Sequence, residues 1–173
     1  MNYRKRAHKV ICRIVTSFVD SSALEERDLV SLVARCGNVG INLTIRRGVI
    51  ILYPERLSLG DSVGISENVW MNAAGGITIG DGVLIGPNTV VHSANHRFED
   101  SAIPIRQQGH DLNHTVIEDD VWIAAAVVVT PGARIGRGSV IGAGAVVVGD
   151  IPPYSVAMGV PARAKRERGQ REA

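Results

Sequence analysis

The most constraining feature of the sequence is a six-residue repeat of branched aliphatic side chains in its C-terminal half. Every sixth position from residue 117 to residue 147 is isoleucine or valine: Ile117, Ile123, Val129, Ile135, Ile141 and Val147. Four residues after each comes a small or apolar side chain, at Val121, Val127, Ala133, Ser139, Ala145 and Ile151. An α-helix would repeat every ~3.6 residues and a strand every second residue. The six-residue period instead predicts a solenoid of triangular coils, with one short strand and one bend in each unit.

The same repeat occupies the middle of the chain, with one interruption. It forms two triplets on either side of an offset at Gly75-Gly76, namely Leu59, Ile65 and Met71, then Ile79, Ile85 and Val91. We interpret the offset as a short insertion at one corner of a coil. Successive coils would stack at about 4.8 Å, the ordinary spacing of hydrogen-bonded strands. A chain with 45% hydrophobic but only 4% aromatic residues suits the narrow core that results.

The rest of the chain divides around this solenoid. Residues 21–35 predict a helix, because serines can cap its start, two glutamates fall in its first turn and Gly37 follows its end. The polar segment between Asn95 and Thr115 cannot fill a coil, so it predicts a long protruding loop, a usual place for function. We therefore expect an N-terminal helix and leading strands over 1–56, the solenoid with loop 95–115 over 57–155, and a basic C-terminal tail over 156–173.

Composition narrows the functional classes. The formal net charge of +2 gives no general signature of nucleic-acid binding. Cys12 and Cys36 fit a reduced compartment, and neither has a second Cys at the close spacing typical of a zinc site. The N-terminus lacks a long apolar run, so we expect neither a signal peptide nor a transmembrane helix, and we place the protein in the cytoplasm. The basic residues among positions 4–13 leave open a weak contact with a membrane surface.

Several segments carry a resemblance to a known family: residues 79–88 leading to His96, 117–123, 140–147, 150–153 and 159–163. They resemble the maltose and galactoside O-acetyltransferase branch of the hexapeptide-repeat acyltransferases, over about residues 57–166. The loop residues 93–96 and 104–109 are most similar to enzymes that acetylate sugars during surface-polysaccharide synthesis. The resemblance implies a mainly β fold, the left-handed parallel β-helix. It also implies a homotrimer with sites between subunits, and acetyl-CoA as co-substrate without a metal.

Acetyl transfer to a hydroxyl requires a base that removes the hydroxyl proton as the oxygen attacks the thioester. An imidazole that titrates near neutrality suits this role and contributes roughly 10²–10⁴-fold, and the CoA thiolate needs no covalent intermediate to leave. The resemblance places the family's catalytic histidine at His96. It places the asparagine that helps hold the transition-state oxyanion at Ser66, whose hydroxyl can donate a hydrogen bond. Asn72 competes for that role, because the match crosses the Gly75-Gly76 offset.

The resemblance assigns the acetyl-CoA site to the later coils, in a groove between neighbouring subunits. It implies a donor-site contact at Trp122, main-chain contacts to the pantetheine arm at Ala125, Ala143, Val148 and Gly149, and phosphate contacts at Arg163 and Arg166. Guanidinium groups match phosphate geometry well. Alanine at position 125, where a polar residue is common in the family, keeps the main-chain contact and loses a side-chain hydrogen bond.

Acceptor-binding residues are predicted by chemistry and position alone. Sugars are held through polar groups, and the polar residues near the predicted base are Asn72, Asn95, Glu99, Arg106 and Gln107. The sequence identifies neither the sugar nor the hydroxyl. It leaves open N-acetylation of an amino sugar and a non-catalytic trimeric scaffold. It also leaves open a zinc protein like the β-helical carbonic anhydrases, whose ligands would come from His92, His96, His110 and His114.

Overall fold

The computed structural model describes residues 35–170. The helix predicted over residues 21–35, apart from Arg35, and the basic cluster at residues 4–13 lie outside the described residues. The described part contains nineteen short strands and two 3-10 turns, Pro54–Arg56 and Ile105–Gln107. The strands are β1 (Asn38–Val39), β2 (Thr44–Ile45), β3 (Ile50–Leu52), β4 (Leu57–Leu59), β5 (Gly64–Ile65), β6 (Trp70–Asn72), β7 (Ile77–Ile79), β8 (Leu84–Ile85), β9 (Val90–His92), β10 (Ala94–His96), β11 (His110–Leu112), β12 (Thr115–Ile117), β13 (Trp122–Ile123), β14 (Val128–Val129), β15 (Arg134–Ile135), β16 (Val140–Ile141), β17 (Val146–Val147), β18 (Ser155–Met158) and β19 (Arg163–Glu167).

Three parallel sheets form the three sides of a triangular coil. Sheet 1 contains β1, β4, β7, β12 and β15 in spatial order, and sheet 3 contains β3, β6, β9, β14 and β17. Sheet 2 contains β2, β5, β8, β13, β16 and β18, with β19 antiparallel at its end. The successive coils are therefore β1–β3, β4–β6, β7–β9, β12–β14 and β15–β17, and Ile151 with β18 begins a sixth. The predicted fold class, a left-handed parallel β-helix, is confirmed.

The six-residue repeat lines the inside of the coils, as predicted. Its residues are fully buried and stack in register, so that Ile79, Ile117 and Ile135 form one column in sheet 1. The companion positions four residues later are buried as well. Ser139, the polar member of that set, donates its hydroxyl to the carbonyl of Pro152 at 2.8 Å and accepts a backbone N–H at 3.2 Å. The buried hydroxyl of Ser139 is therefore fully hydrogen-bonded within the core.

The coils differ in length at one corner, between sheets 3 and 1. Leu59 pairs with Ile79, twenty residues on, whereas Ile117 pairs with Ile135, eighteen residues on. The additional residues in the first coils are the 3-10 turn at 54–56 and the turn at 73–76. The predicted insertion at Gly75-Gly76 is confirmed. The long loop, residues 93–114, leaves the helix from this same corner one coil later.

Aspartate side chains join successive coils at the corner between sheets 1 and 2. The carboxylates of Asp61, Asp81 and Asp119 accept the backbone N–H groups of Ile41 at 2.8 Å, Asp61 at 2.7 Å and Asp81 at 3.0 Å, respectively. The N–H of Asp81 lowers the pKa of the Asp119 carboxyl, because this hydrogen bond favours the ionised form. These aspartate hydrogen bonds link successive coils through side chains, in addition to the backbone hydrogen bonds of the sheets.

The two ends of the helix lie outside residues 57–155. β1–β3 already pair in parallel with β4–β6, so a full coil precedes residue 57. At the other end, β18 (Ser155–Met158) and β19 (Arg163–Glu167) form an antiparallel hairpin that continues past residue 155. The division of the chain into three segments stays a prediction.

Among residues 35–170, no α-helix has the length and hydropathy needed to cross a bilayer.

Ile85→Ala is expected to lower the free energy of unfolding by about 2–5 kcal/mol, because it opens a cavity where a side chain 1% exposed had packed. Ile50→Ala is the matched control. Ile50 lies on the outer side of sheet 3 and is 50% exposed, so its loss should cost about 1 kcal/mol or less. Urea unfolding of both variants measures the difference, and equal losses would contradict the assignment of the core.

Candidate active site

The segment that leaves the helix after the third coil forms a hairpin, where the sequence predicts an irregular loop. β10 and β11 pair in antiparallel register, with Ala94 opposite Leu112 and His96 opposite His110. The tip between them, residues 97–109, carries the second 3-10 turn. Polar strands of three residues have no hydrophobic alternation, so sequence periodicity does not predict them. The predicted base, His96, therefore lies on a paired strand.

The two faces of this hairpin carry different side chains. Neighbouring residues of a strand point to opposite faces, so His96 and His110 share one face and Asn95 lies on the other. On that second face, Nε of Arg97 donates to the Asp111 carboxylate at 2.6 Å. This hydrogen bond raises the pKa of Arg97. Asn95, a predicted acceptor residue, is thus adjacent to His96 in sequence but directed away from it.

The imidazole rings of His96 and His110 contact each other across the hairpin. Their centroids are 4.3 Å apart and their planes are inclined by 40°. Both side chains are exposed. Solvent and substrate can therefore reach the His96 ring, and the ring that it packs against is a second imidazole.

Two fully buried hydroxyl side chains, Ser93 and Thr115, fix the base of the hairpin to the coils. The Ser93 hydroxyl donates to the carbonyl of Asn72 at 2.7 Å and accepts the N–H of Gly75 at 2.9 Å. The Thr115 hydroxyl donates to the carbonyl of His92 at 2.6 Å. A Cβ at Gly75 would lie 2.1 Å from the Ser93 carbonyl oxygen, so this corner accommodates only glycine.

His92 lies on the outer side of β9, one turn of the helix above Asn72. Its ring packs against Trp70, with centroids 4.9 Å apart. Burial lowers the pKa of the His92 imidazole, because desolvation disfavours the charged form. The side-chain oxygen of Asn72 accepts the N–H of Ala74 at 3.1 Å, which turns this amide toward the corner from which the hairpin leaves.

The other predicted acceptor residues lie in the exposed tip of the hairpin. The Glu99 carboxylate accepts the N–H of Phe98 at 3.0 Å, and Arg106 and Gln107 belong to the 3-10 turn. Gln108, which the sequence does not single out, holds the tip together. Its side-chain amide donates to two backbone carbonyls, at 2.8 and 2.7 Å, and accepts one N–H at 3.1 Å.

The two candidates for stabilising the oxyanion lie at opposite ends of β6 in the second coil. Ser66 is at the corner between sheets 2 and 3, beside a surface depression of about 280 Å³ that Arg46, Gly64 and Leu84 also line. Asn72 is at the corner between sheets 3 and 1, where the hairpin leaves. A single protomer therefore brings Asn72, and not Ser66, to the corner that carries His96.

The predicted donor residues fall in three places. Trp122 is 53% exposed on the outer side of sheet 2, between Leu84 and Val140. Ala125 and Ala143 follow at the next corner, one coil apart, and the N–H of Gly144 donates to the Ala125 carbonyl at 3.0 Å. The remaining predicted residues lie after β17 and on β19, at the C-terminal end of the helix: Val148, Gly149, Arg163 and Arg166.

Comparison with known proteins identifies the family. Residues 114–149 match the bacterial transferase hexapeptide family, with six repeats. Over 153 residues, the chain is 35% identical to the galactoside O-acetyltransferase of Escherichia coli (strain K12). The matched region covers 87% of this chain and 73% of that enzyme. The chain belongs to the hexapeptide-repeat acetyltransferases.

Two further members of this acetyltransferase family are similar over most of the chain. WcaF of Escherichia coli (strain K12), named for colanic acid biosynthesis, is 34% identical over 139 residues, covering 78% of this chain and 71% of WcaF. The solved structure of a hexapeptide-repeat acetyltransferase from Vibrio cholerae, complexed with acetyl coenzyme A, has a TM-score of 0.76 and 32% identity. The match covers 97% of this chain and 88% of that one.

Two side chains with ring contacts near the candidate site, His110 and Trp70, were not predicted as site residues. His110 entered the sequence reasoning only as a possible metal ligand, because its pairing with His96 depends on the hairpin. Trp70 was missed, although its outward position two residues before Asn72 was a usable signal. Among residues 35–170, no group of three or more His, Cys, Asp or Glu side chains is placed to hold a metal ion.

Gly75→Ala is expected to loosen the hairpin, because the new methyl group would collide with the Ser93 carbonyl. Hydrogen exchange of the amides of residues 93–113 should accelerate, and acetyl transfer should fall with it. Gly82→Ala is the control: its φ of +66° also disfavours alanine, by about 1–2 kcal/mol, but nothing lies within 4 Å of the added Cβ. Unchanged hairpin exchange in Gly75→Ala would contradict the assigned contact.

Proposed function

We propose that this protein transfers an acetyl group from acetyl-CoA to a hydroxyl of a sugar or glycan precursor, with His96 as general base. The observation that carries the proposal is the position of His96, exposed on a hairpin that is fixed to the third coil of a hexapeptide-repeat acetyltransferase. An exposed imidazole on a firmly held strand is accessible to an acceptor and fixed in its backbone position.

The reaction needs a single displacement. An imidazole nitrogen of His96 takes the hydroxyl proton while the acceptor oxygen attacks the thioester carbonyl. The carbon–oxygen bond forms first, and the carbon–sulfur bond of the tetrahedral intermediate then breaks. The departing thiolate recovers the proton from the imidazolium, so the histidine returns to its neutral form. The Ser66 hydroxyl or the Asn72 amide would donate a hydrogen bond to the oxyanion.

A homotrimer with sites between subunits is part of this proposal. Its support is that the proposed donor and oxyanion residues are divided between two corners of one protomer, with sheet 3 between them. Large apolar side chains on the outer side of sheet 2 also favour association, since Leu84 and Trp122 are 54% and 53% exposed. Packing protomers together would bury these groups and bring the two corners into one site.

A sugar acceptor is supported by the relatives, which are named for galactoside O-acetylation and colanic acid biosynthesis. Asn72, Glu99, Arg106 and Gln107 are the proposed acceptor contacts, and Asn95 would serve only an acceptor that reaches the far face of the hairpin. A role in polysaccharide biosynthesis and a cytoplasmic location follow from the same proposal. The proposed contact of the basic N-terminus with a membrane surface falls on residues outside those described.

His96→Gln is expected to lower kcat about 10²–10⁴-fold, because glutamine cannot take the proton. The assay is thiol release from acetyl-CoA with a panel of neutral sugars, sugar nucleotides and amino sugars. His114→Gln is the matched control, since His114 is an exposed histidine at the hairpin base whose Nε2 hydrogen-bonds to Thr78 at 2.9 Å.

Each outcome of this experiment has a distinct meaning. Full turnover by His96→Gln would overturn the assignment of the base. Acetylation of amino sugars alone, on nitrogen, would replace O-transfer with N-transfer. A wild-type protein that does not bind CoA in calorimetry would favour the non-catalytic scaffold.

Arg163→Ala is expected to raise the KM for acetyl-CoA about tenfold or more with little change in kcat, because a charge-assisted contact to a phosphate is lost. Lys165→Ala is the matched control, since Lys165 is an exposed cation on the same strand with no proposed contact. Steady-state kinetics at low ionic strength measures both variants. Equal changes in the two would indicate general attraction by a basic strand rather than a phosphate contact at Arg163.

A further inference from the structure

The hydrogen bonds of the hairpin place its two facing histidines where side chains approach most closely. The N–H of Asn113 donates to the carbonyl of Ser93 at 2.9 Å, and the N–H of Arg97 donates to the carbonyl of Gly109 at 3.1 Å. Hydrogen-bonded and non-hydrogen-bonded pairs alternate along an antiparallel ladder, so the histidine pair lies at a non-hydrogen-bonded position. Facing Cα atoms are about 4.5 Å apart there, against about 5.5 Å at a hydrogen-bonded pair.

Within residues 35–170, few other neighbours could fix the orientation of the His96 side chain. It is exposed, it lies on a strand outside the three sheets, and the other pair on its face is Ala94 with Leu112. The imidazole of an exposed histidine rotates among several staggered positions. The ring contact with His110, at 4.3 Å between centroids, restricts that rotation.

We propose that His110 is a positioning residue, which holds the imidazole of His96 in the orientation that proton transfer requires. This inference rests on the proposed function, in which His96 is the base. His110 acts through its ring contact with His96 and needs no contact of its own with acetyl-CoA or the acceptor. A small displacement of a reacting group can lower a rate by as much as about 100-fold, so the contact has a measurable effect on turnover.

The opposite face of the hairpin supplies a matched control. Each histidine is followed in sequence by one member of an ion pair, Arg97 just after β10 and Asp111 on β11, and these two side chains also contact each other across the hairpin. Their ion pair lies on the face that does not carry His96. Asp111→Ala therefore removes a cross-strand contact from the same strands and leaves the imidazole pair intact.

The experiment compares His110→Ala, His110→Phe and Asp111→Ala in steady-state kinetics with the best acceptor of the panel. His110→Ala is expected to lower kcat by roughly tenfold to 100-fold, with the KM values for acetyl-CoA and acceptor unchanged. His110→Phe keeps a flat ring and should restore most of the loss. Asp111→Ala should stay within about twofold of the wild-type kcat. In NMR spectra, the Cε1–H resonance of His96 should shift in His110→Ala, because the ring current of its neighbour is lost.

The possible failures are distinguishable. Unchanged kcat in His110→Ala, or an equal loss in Asp111→Ala, would overturn the positioning role. A His110→Phe variant as slow as His110→Ala would overturn it too, because the effect would then depend on imidazole chemistry rather than on ring packing. If His96→Gln keeps full turnover, the proposed function itself fails. If His96→Gln is inactive and every His110 variant is fully active, only the positioning role fails.

Discussion

Hydrogen bonding between coils in register is the constraint on which the rest of this structure depends. The backbone N–H and C=O groups of the strands in the three parallel sheets find their partners in the coils above and below. A coil can therefore change its length at a corner but not within a strand. In the described part of the chain, the changes of length fall at the corner between sheets 3 and 1. The strands on both sides of each change stay in register, as Ile79 and Ile117 do across the long insertion.

This constraint explains where the candidate active site can be built. Residues 93–114 leave and rejoin the helix between two strands of adjacent coils, so the ladder continues beneath them. Closing a longer loop costs only slightly more entropy than closing a short one, which makes such an insertion tolerable. The buried hydroxyls of Ser93 and Thr115 then tie its two ends to the coils. The β-helix supplies the base, and the hairpin carries the exposed His96 on a strand outside the three sheets.

Much of the fold could be predicted from the sequence, because the triangular coil imposes its period directly on the chain. The six-residue period predicts the buried positions from Leu59 to Val147. One interruption of that period predicts the two-residue insertion at the corner. The handedness does not follow from the spacing, which is the same for either hand, and only the resemblance predicts it. The N-terminal helix depends on residues outside those described.

Less of the candidate site could be predicted, because it depends on pairing that has no period. A three-residue segment such as Ala94–His96 resembles any loop until its antiparallel partner is known. Once the partner is known, the alternation of a strand separates Asn95 from His96 and joins His96 to His110. Nearness in sequence was therefore a poor guide to nearness in space within this hairpin. Trp70 was predictable in principle, since the coil register sets it beside β9 and the ring of His92.

The division of the predicted site residues between corners also constrains how subunits must associate if the proposed reaction occurs. Ala125, Ala143 and Ser66 lie at the corner between sheets 2 and 3, whereas His96 and Val148 belong to the corner between sheets 3 and 1. A contact that joins these corners uses a different surface of each protomer, so it is heterologous. Such a contact must close into a ring or continue as a filament. Closure by the proposed threefold rotation would give every protomer the same neighbour on each side and would complete three equivalent sites.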